Sequence, residues 1–191
     1  MENSMNTTRA TVTLAALALA AGLVATTTAA ASAATADEQL DPVASPLVSQ
    51  EASGYRGEWA VSGGSVQEAF EKDGVVISTG STGLRSGLAA DQVVSFGYVA
   101  GFGDPVSGTD YSQLSGQAGE DVTAVRVVSA SGVTTTADLA DGVWGAVWVS
   151  GDHADEHGAA TIEYDTPTGT TTVSTDAVDV IAADQRAAEQ G

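Results

Sequence analysis

The sequence predicts an all-β fold, an immunoglobulin-like antiparallel β-sandwich, and three observations carry that expectation. Short runs rich in Val, Thr and Ala recur at close spacing through residues 54–175. Turn signals separate them, among them Asp73-Gly74, Ser131-Gly132, Asp141-Gly142 and Thr166-Pro167-Thr168-Gly169. The third is the run Val143-Trp144-Gly145-Ala146-Val147-Trp148-Val149. Side chains alternate across a strand, so Trp144, Ala146 and Trp148 share one face and Val143, Gly145, Val147 and Val149 the other. Both faces are apolar, which places this strand centrally, buried on its two sides.

The bulk composition narrows the function classes. Formal net charge is −19, from 6 Lys plus Arg against 25 Asp plus Glu. A nucleic-acid binder needs a basic footprint, so no nucleic-acid partner is expected, and an anionic membrane surface is disfavoured for the same reason. The acidity reads as solubility in an exposed setting. There are no cysteines, which removes disulfides, thiol catalysis and thiolate metal sites together. Hydrophobic residues make up 43% but aromatics only 5%, so the core has to be built mainly from Val, Ala, Leu and Ile.

Residues 1–36 read as a secretory signal peptide. Arg9 supplies the positive region, Ala10 to Ala25 an apolar run, and small residues place cleavage after Ala33 or Ala36. The run is shorter than the roughly 20 residues a spanning helix needs, so no membrane association beyond the signal is expected and the mature protein is expected outside the cell. Residues 37–53, with Pro42, Pro46 and scattered acids, read as a flexible acidic leader, and order is expected to begin near Tyr55.

The sandwich domain is expected over 54–175. Trp59 and Val61 alternate in a first strand. Ser65–Lys72 and Val75–Thr79 flank Asp73-Gly74, a hairpin signal that outweighs the competing reading of Val66–Lys72 as a short helix. Gly80–Gly87 is expected as a loop and Val93–Val99 as a strand. Strands follow over Ser115–Ala118, Val122–Val128, Val133–Leu139, the tryptophan run, Ala160–Asp165 and Thr170–Ser174. Residues 176–191 read as a short C-terminal helix capped by Asp176, with Val178, Val180 and Ile181 able to dock on the sandwich.

The stretch Ser115-Gly116-Gln117-Ala118-Gly119-Glu120-Asp121-Val122-Thr123-Ala124-Val125, followed by Asp141-Gly142 and the tryptophan strand, resembles a β-rich module of secreted or surface-tethered proteins from GC-rich Gram-positive bacteria. The resemblance covers roughly residues 112–175 and rests on the pattern AGxDVTAV plus DG–aromatic–strand. It implies secretion and a β-sandwich, and brings with it no activity and no catalytic residues.

Two constellations invite a function. Trp144 and Trp148 lie on one strand face and can stack on sugar rings if exposed, which would make the chain a carbohydrate-binding module; packed in the core they cannot. His153-Ala154-Asp155-Glu156-His157 satisfies H-x-x-E-H, the string of inverted zinc peptidases, where a helix brings both imidazoles onto one metal. Here it lies between Gly151 and Gly158, directly before a strand and too short for a stable helix. A solvated loop is the first reading, weak divalent-metal binding through His153, Asp155, Glu156 and His157 the second, and a hydrolase the third. Glu120-Asp121, or Asp176 with Asp179, read first as turn and cap residues and only second as calcium ligands. No nucleophile elbow and no phosphate loop occurs, while a glycosidase carboxylate pair is not visible or excluded in a sequence alone. The expectation is a secreted, non-catalytic binding or structural module, without a cofactor, whose partner is an extracellular protein or a glycan.

Overall fold

The computed structural model describes residues 42–150 and 160–189. In chain order the strands are β1 (Val48–Ala52), β2 (Tyr55–Ser62), β3 (Ser65–Lys72), β4 (Val75–Gly83), β5 (Val93–Ser95), β6 (Ala100–Gly103), β7 (Asp110–Ala118), β8 (Ala124–Val128), β9 (Thr134–Thr136), β10 (Asp138–Ala140), β11 (Val143–Ser150), β12 (Thr161–Thr166) and β13 (Gly169–Ser174). Two short helices, α1 (Thr175–Val178) and α2 (Val180–Glu189), follow. The class is all-β and the strand pairing antiparallel, as the sequence predicts.

The apolarity of both faces of β11 determines how the sheets are arranged. The strands form a first sheet ordered β1-β2-β3-β4, a middle sheet ordered β10-β11-β7-β5 with β6 also on β7, and a third sheet ordered β13-β12-β8-β9. Trp144, Ala146 and Trp148 pack with Val125, Val127 and Ile162 of the third sheet. Val143 and Val147 pack with Val48, Trp59, Val66 and Phe70 of the first. One strand therefore serves two cores, and the sheet that contains it is covered on both sides. An immunoglobulin-like sandwich has two facing sheets; these strands are distributed over three.

Hairpin turns carry the first sheet. Asp73 and Gly74 both have positive φ (51° and 82°), the type I′ geometry whose twist matches paired strands, so the hairpin reading of 65–79 holds and the helix reading does not. Asp141 and Gly142 do the same at the entry to β11 (47° and 75°). The expected loop at Gly80 is instead the continuation of β4, which runs to Gly83. Order begins earlier than expected: Val48–Ala52, assigned to the flexible leader, is a strand paired with β2, Val48 opposite Trp59 and Ala52 opposite Tyr55.

The expected strand Val133–Leu139 is split. Thr134–Thr136 pairs with β8 in the third sheet, while Asp138–Ala140 pairs with β11 in the middle sheet. Ala137, buried between them, donates its N–H to Val125 O at 2.9 Å. The strand thus changes sheets at one residue. Without the change, the register that sets Asp138 opposite Gly145 would have set Thr136 opposite Val147. Gln50 of β1 occupies that gap: Val147 N–H donates to its Oε1 at 2.6 Å, and its Nε2 donates to Thr136 O at 2.7 Å. A side-chain amide here replaces a missing rung of the ladder and ties the first sheet to the other two.

The C-terminal helix is two helices. Ser174 caps α1, its hydroxyl accepting from Asp176 N, so the expected cap at Asp176 lies two residues upstream. Asp179 interrupts the helix and caps α2, its Oδ1 accepting from Ile181 N at 2.9 Å and Ala182 N at 3.2 Å. Val178 packs on the core and Val180 is buried. Asp179 also bridges in parallel to Ser95, at the edge strand β5.

Candidate functional site

The two tryptophans are core residues. Trp144 is 0% exposed and Trp148 3%, so neither ring offers a face to a sugar, and the stacking-platform expectation is corrected. Trp59 and Tyr55 are buried as well. The cause is the third layer: the face that would have been open in a surface strand is closed by β8 and β12. The Trp144 ring lies flat over Gly116, where a Cβ would meet ring carbons at 2.5 Å. Its Nε1 has no hydrogen-bond partner, and neither has Ser95 Oγ, on the other side of Gly116 in the same cross-strand row. His153, Asp155, Glu156 and His157, with the metal expectation that rests on them, lie outside the described residues. Among the described residues no group of three His, Asp or Glu side chains could hold a metal ion. Asp176 and Asp179 serve the helix starts rather than a shared ligand set.

The layer between the first and middle sheets holds the polar groups that the sequence reading missed. On β7 the residues Tyr111, Gln113 and Ser115 alternate toward the first sheet. Tyr55 OH donates a short hydrogen bond to Gln113 Oε1. Glu68 of β3 accepts from Trp59 Nε1 at 3.3 Å and from Ser115 Oγ at 3.4 Å. The carboxylate is the enclosed end of a half-buried residue, and burial pushes its pKa up against the smaller opposing effect of those two donors. Burial, with the Glu68 charge second, also pushes the Tyr55 phenol up. The signal for Glu68 was present in the sequence: on a strand, Val66, Glu68 and Phe70 share a face.

Beyond Tyr55 the same layer becomes aromatic. Tyr55 stacks on Phe70, Phe102 and Tyr111 with centroids 6.1, 5.6 and 5.0 Å away. Lys72 Nζ sits 5.6 Å from the Tyr111 ring centroid and pairs with Asp73 at 2.6 Å and Asp104 at 3.8 Å.

On the outer face of the third sheet, Arg126 makes a two-pronged bond to Asp165 (2.7 and 2.8 Å) and approaches Glu163 at 3.5 Å. The guanidinium, with Thr170 Oγ1 second, holds the Asp165 carboxyl well below the usual carboxylate range. These residues are half-buried and paired through one guanidinium, the chemistry of a structural tie between β8, β12 and β13.

The sheet edges differ in how they end. β5, β9 and β10 are each three residues long. β1 is tied to the middle sheet through Gln50. β13 is a six-residue edge beside α1. β4 is the longest, at nine residues, Val75-Val76-Ile77-Ser78-Thr79-Gly80-Ser81-Thr82-Gly83, with no charge and no proline. Val75 is 64% exposed. Beside β4 an open pocket of about 620 Å³ is lined by residues that include Pro42, Val43, Gln67, Glu68, Gly80 and Ser81. Gln67 Nε2 donates to Ser81 Oγ at 2.8 Å, which leaves its carbonyl oxygen as an acceptor.

Comparison of the chain with protein-family models, curated proteins and solved structures found no match.

Proposed function

We propose that the chain is an exported, non-catalytic binding module that recognises an extended segment of another extracellular protein along β4. The observation that carries this reading is the edge itself: nine uncharged residues at the margin of the first sheet, with which no further strand pairs among the described residues. Edges of this length are normally blunted by charge, proline or cover, because their unpaired N–H and C=O groups template another strand. An edge left open in a chain of net charge −19 suits strand addition, in which backbone bonds give affinity and neighbouring pockets read alternate side chains. The pocket beside Gln67 and Ser81 is placed for the second task. The N-terminal signal pattern over 1–36 and the resemblance to secreted modules support an extracellular setting.

Proline substitution tests the reading. Successive residues of a strand point their N–H groups to opposite sides, so of Ser78→Pro and Thr79→Pro one removes a bond to β3 and the other an outward donor. Displayed random peptides selected against the protein should be extended β-formers, and their binding should drop at least tenfold on the variant that keeps wild-type stability. Peptides that bind that variant as well as wild type would sink the proposal.

A further inference from the structure

Glu68 lies in the layer between the first and middle sheets. It lies on β3 between Val66 and Phe70, both buried against the middle sheet. Its hydrogen-bond partners come from both layers: Trp59 from β2 beside it, and Ser115 from β7 across the gap. Opposite it on β4 stands Gly80, where a Cβ would lie 2.6 Å from Glu68 Oε1, so the carboxylate fills the space that a side chain would take.

The groups facing it supply no cation. From β2 come Tyr55 and Trp59, from β4 Gly80, and from β7 Gln113 and Ser115. β11 contributes Val143 and Val147 to this layer. Lys72, at the far end, is committed to Asp73 and Asp104. Arg85 bridges Asp184 at 3.8 Å, and its backbone is held by the Gln117 side chain. Arg56 sits among Glu51, Glu58 and Glu71, Glu58 and Glu71 alternating onto the other face of the first sheet from Val66 and Phe70. Among the described residues no ion pair reaches Glu68.

We propose that Glu68 is a proton-operated latch between the first and middle sheets. As a carboxylic acid it donates its O–H to Ser115 Oγ and accepts from Trp59 Nε1, joining the sheets without a charge. As a carboxylate it places an unpaired charge in the layer and loosens their contact. The direction follows from linkage. An unfolded Glu titrates near the ordinary value of about 4.3. In the folded chain burial raises it. Between the two values the folded state holds more protons, so stability is full below the unfolded value and falls as pH rises toward the folded one. This inference does not rest on strand addition at β4, although Glu68 also lines the pocket beside that strand.

Thermal melts and amide hydrogen exchange between pH 4 and 8, on the wild-type chain and Glu68→Gln, test it. In wild type, exchange protection of the β2 and β3 amides, corrected for intrinsic rate, should fall across this range while that of β8 and β12 holds. The fall should be about tenfold for each unit by which the folded pKa exceeds the unfolded one. In Glu68→Gln the fall should be absent. Parallel profiles for the two proteins overturn the proposal, as does an equal loss of protection in all three sheets, which would report the net charge of the whole chain. If Glu68→Gln does not fold, Ser115→Ala serves: it removes the group across the gap to which the acid donates, so the extra protection of β2 and β3 at low pH should be lost. Unchanged protection at low pH overturns the latch.

Discussion

Replacing Gln50 with Met measures what its amide contributes where the strand changes sheets. Met keeps the length and most of the volume of the side chain but can neither accept from Val147 N–H nor donate to Thr136 O. The two losses are unequal. Val147 is 3% exposed, so its N–H stays orphaned, which costs about 1–3 kcal/mol. Thr136 lies at an exposed edge, so its carbonyl recovers water and contributes a few tenths at most. The sum, about 1–3 kcal/mol, lowers Tm by roughly 3–10 °C for a chain of this size. Ser49→Met, one residue away on the exposed face of β1, is the control and should leave Tm nearly unchanged. Differential scanning calorimetry of the three proteins decides the matter. A Gln50→Met melt within a degree of wild type would refute the claim that the amide stands in for a ladder rung.

Two further outcomes are expected. Trp148→Ala should destabilise by about 3–5 kcal/mol in chemical denaturation, because the ring is part of the core shared by the middle and third sheets; a loss below 1 kcal/mol would contradict that placement. Arg126→Met should flatten the acid limb of the melting profile. Asp165 is held below its unfolded value by Arg126, so its contribution is present above that value and is lost as pH falls below about 4. Equal slopes for variant and wild type under pH 4 would dissociate the pair from acid stability.

What could be read from the sequence divides along the range of the interactions involved. The tryptophan strand and the Asp-Gly hairpins declare themselves locally, through alternation and turn chemistry, and the structure agrees at both. A strand apolar on both faces in an antiparallel protein also carried the hint of a third layer, since two sheets cover only one face of each. β1 was hidden because its inward positions are Val48, Gln50 and Ala52, and Gln50 reads as solvent-facing until its two backbone partners are seen. The break at Ala137 is only weakly marked locally, by Ala137-Asp138 after three strand-prone threonines, and the competition between β8 and β11 for partners divides the segment. The stacking reading of Trp144 and Trp148 failed for the same reason, because what covers a strand face is decided by strands distant in sequence.

The order of the sheets along the chain has a kinetic consequence. The first sheet is four consecutive hairpin-linked strands, completed at Gly83, and needs only short loops to close. Its inner face, with Tyr55, Trp59 and Phe70, is covered by β7 and β11, which are made later. During synthesis that aromatic face is first met by Asp110–Ala118 and is fully covered only when Val143–Ser150 arrives. The interval is when the chain is most exposed to misassembly, and it closes once both of those strands are in place.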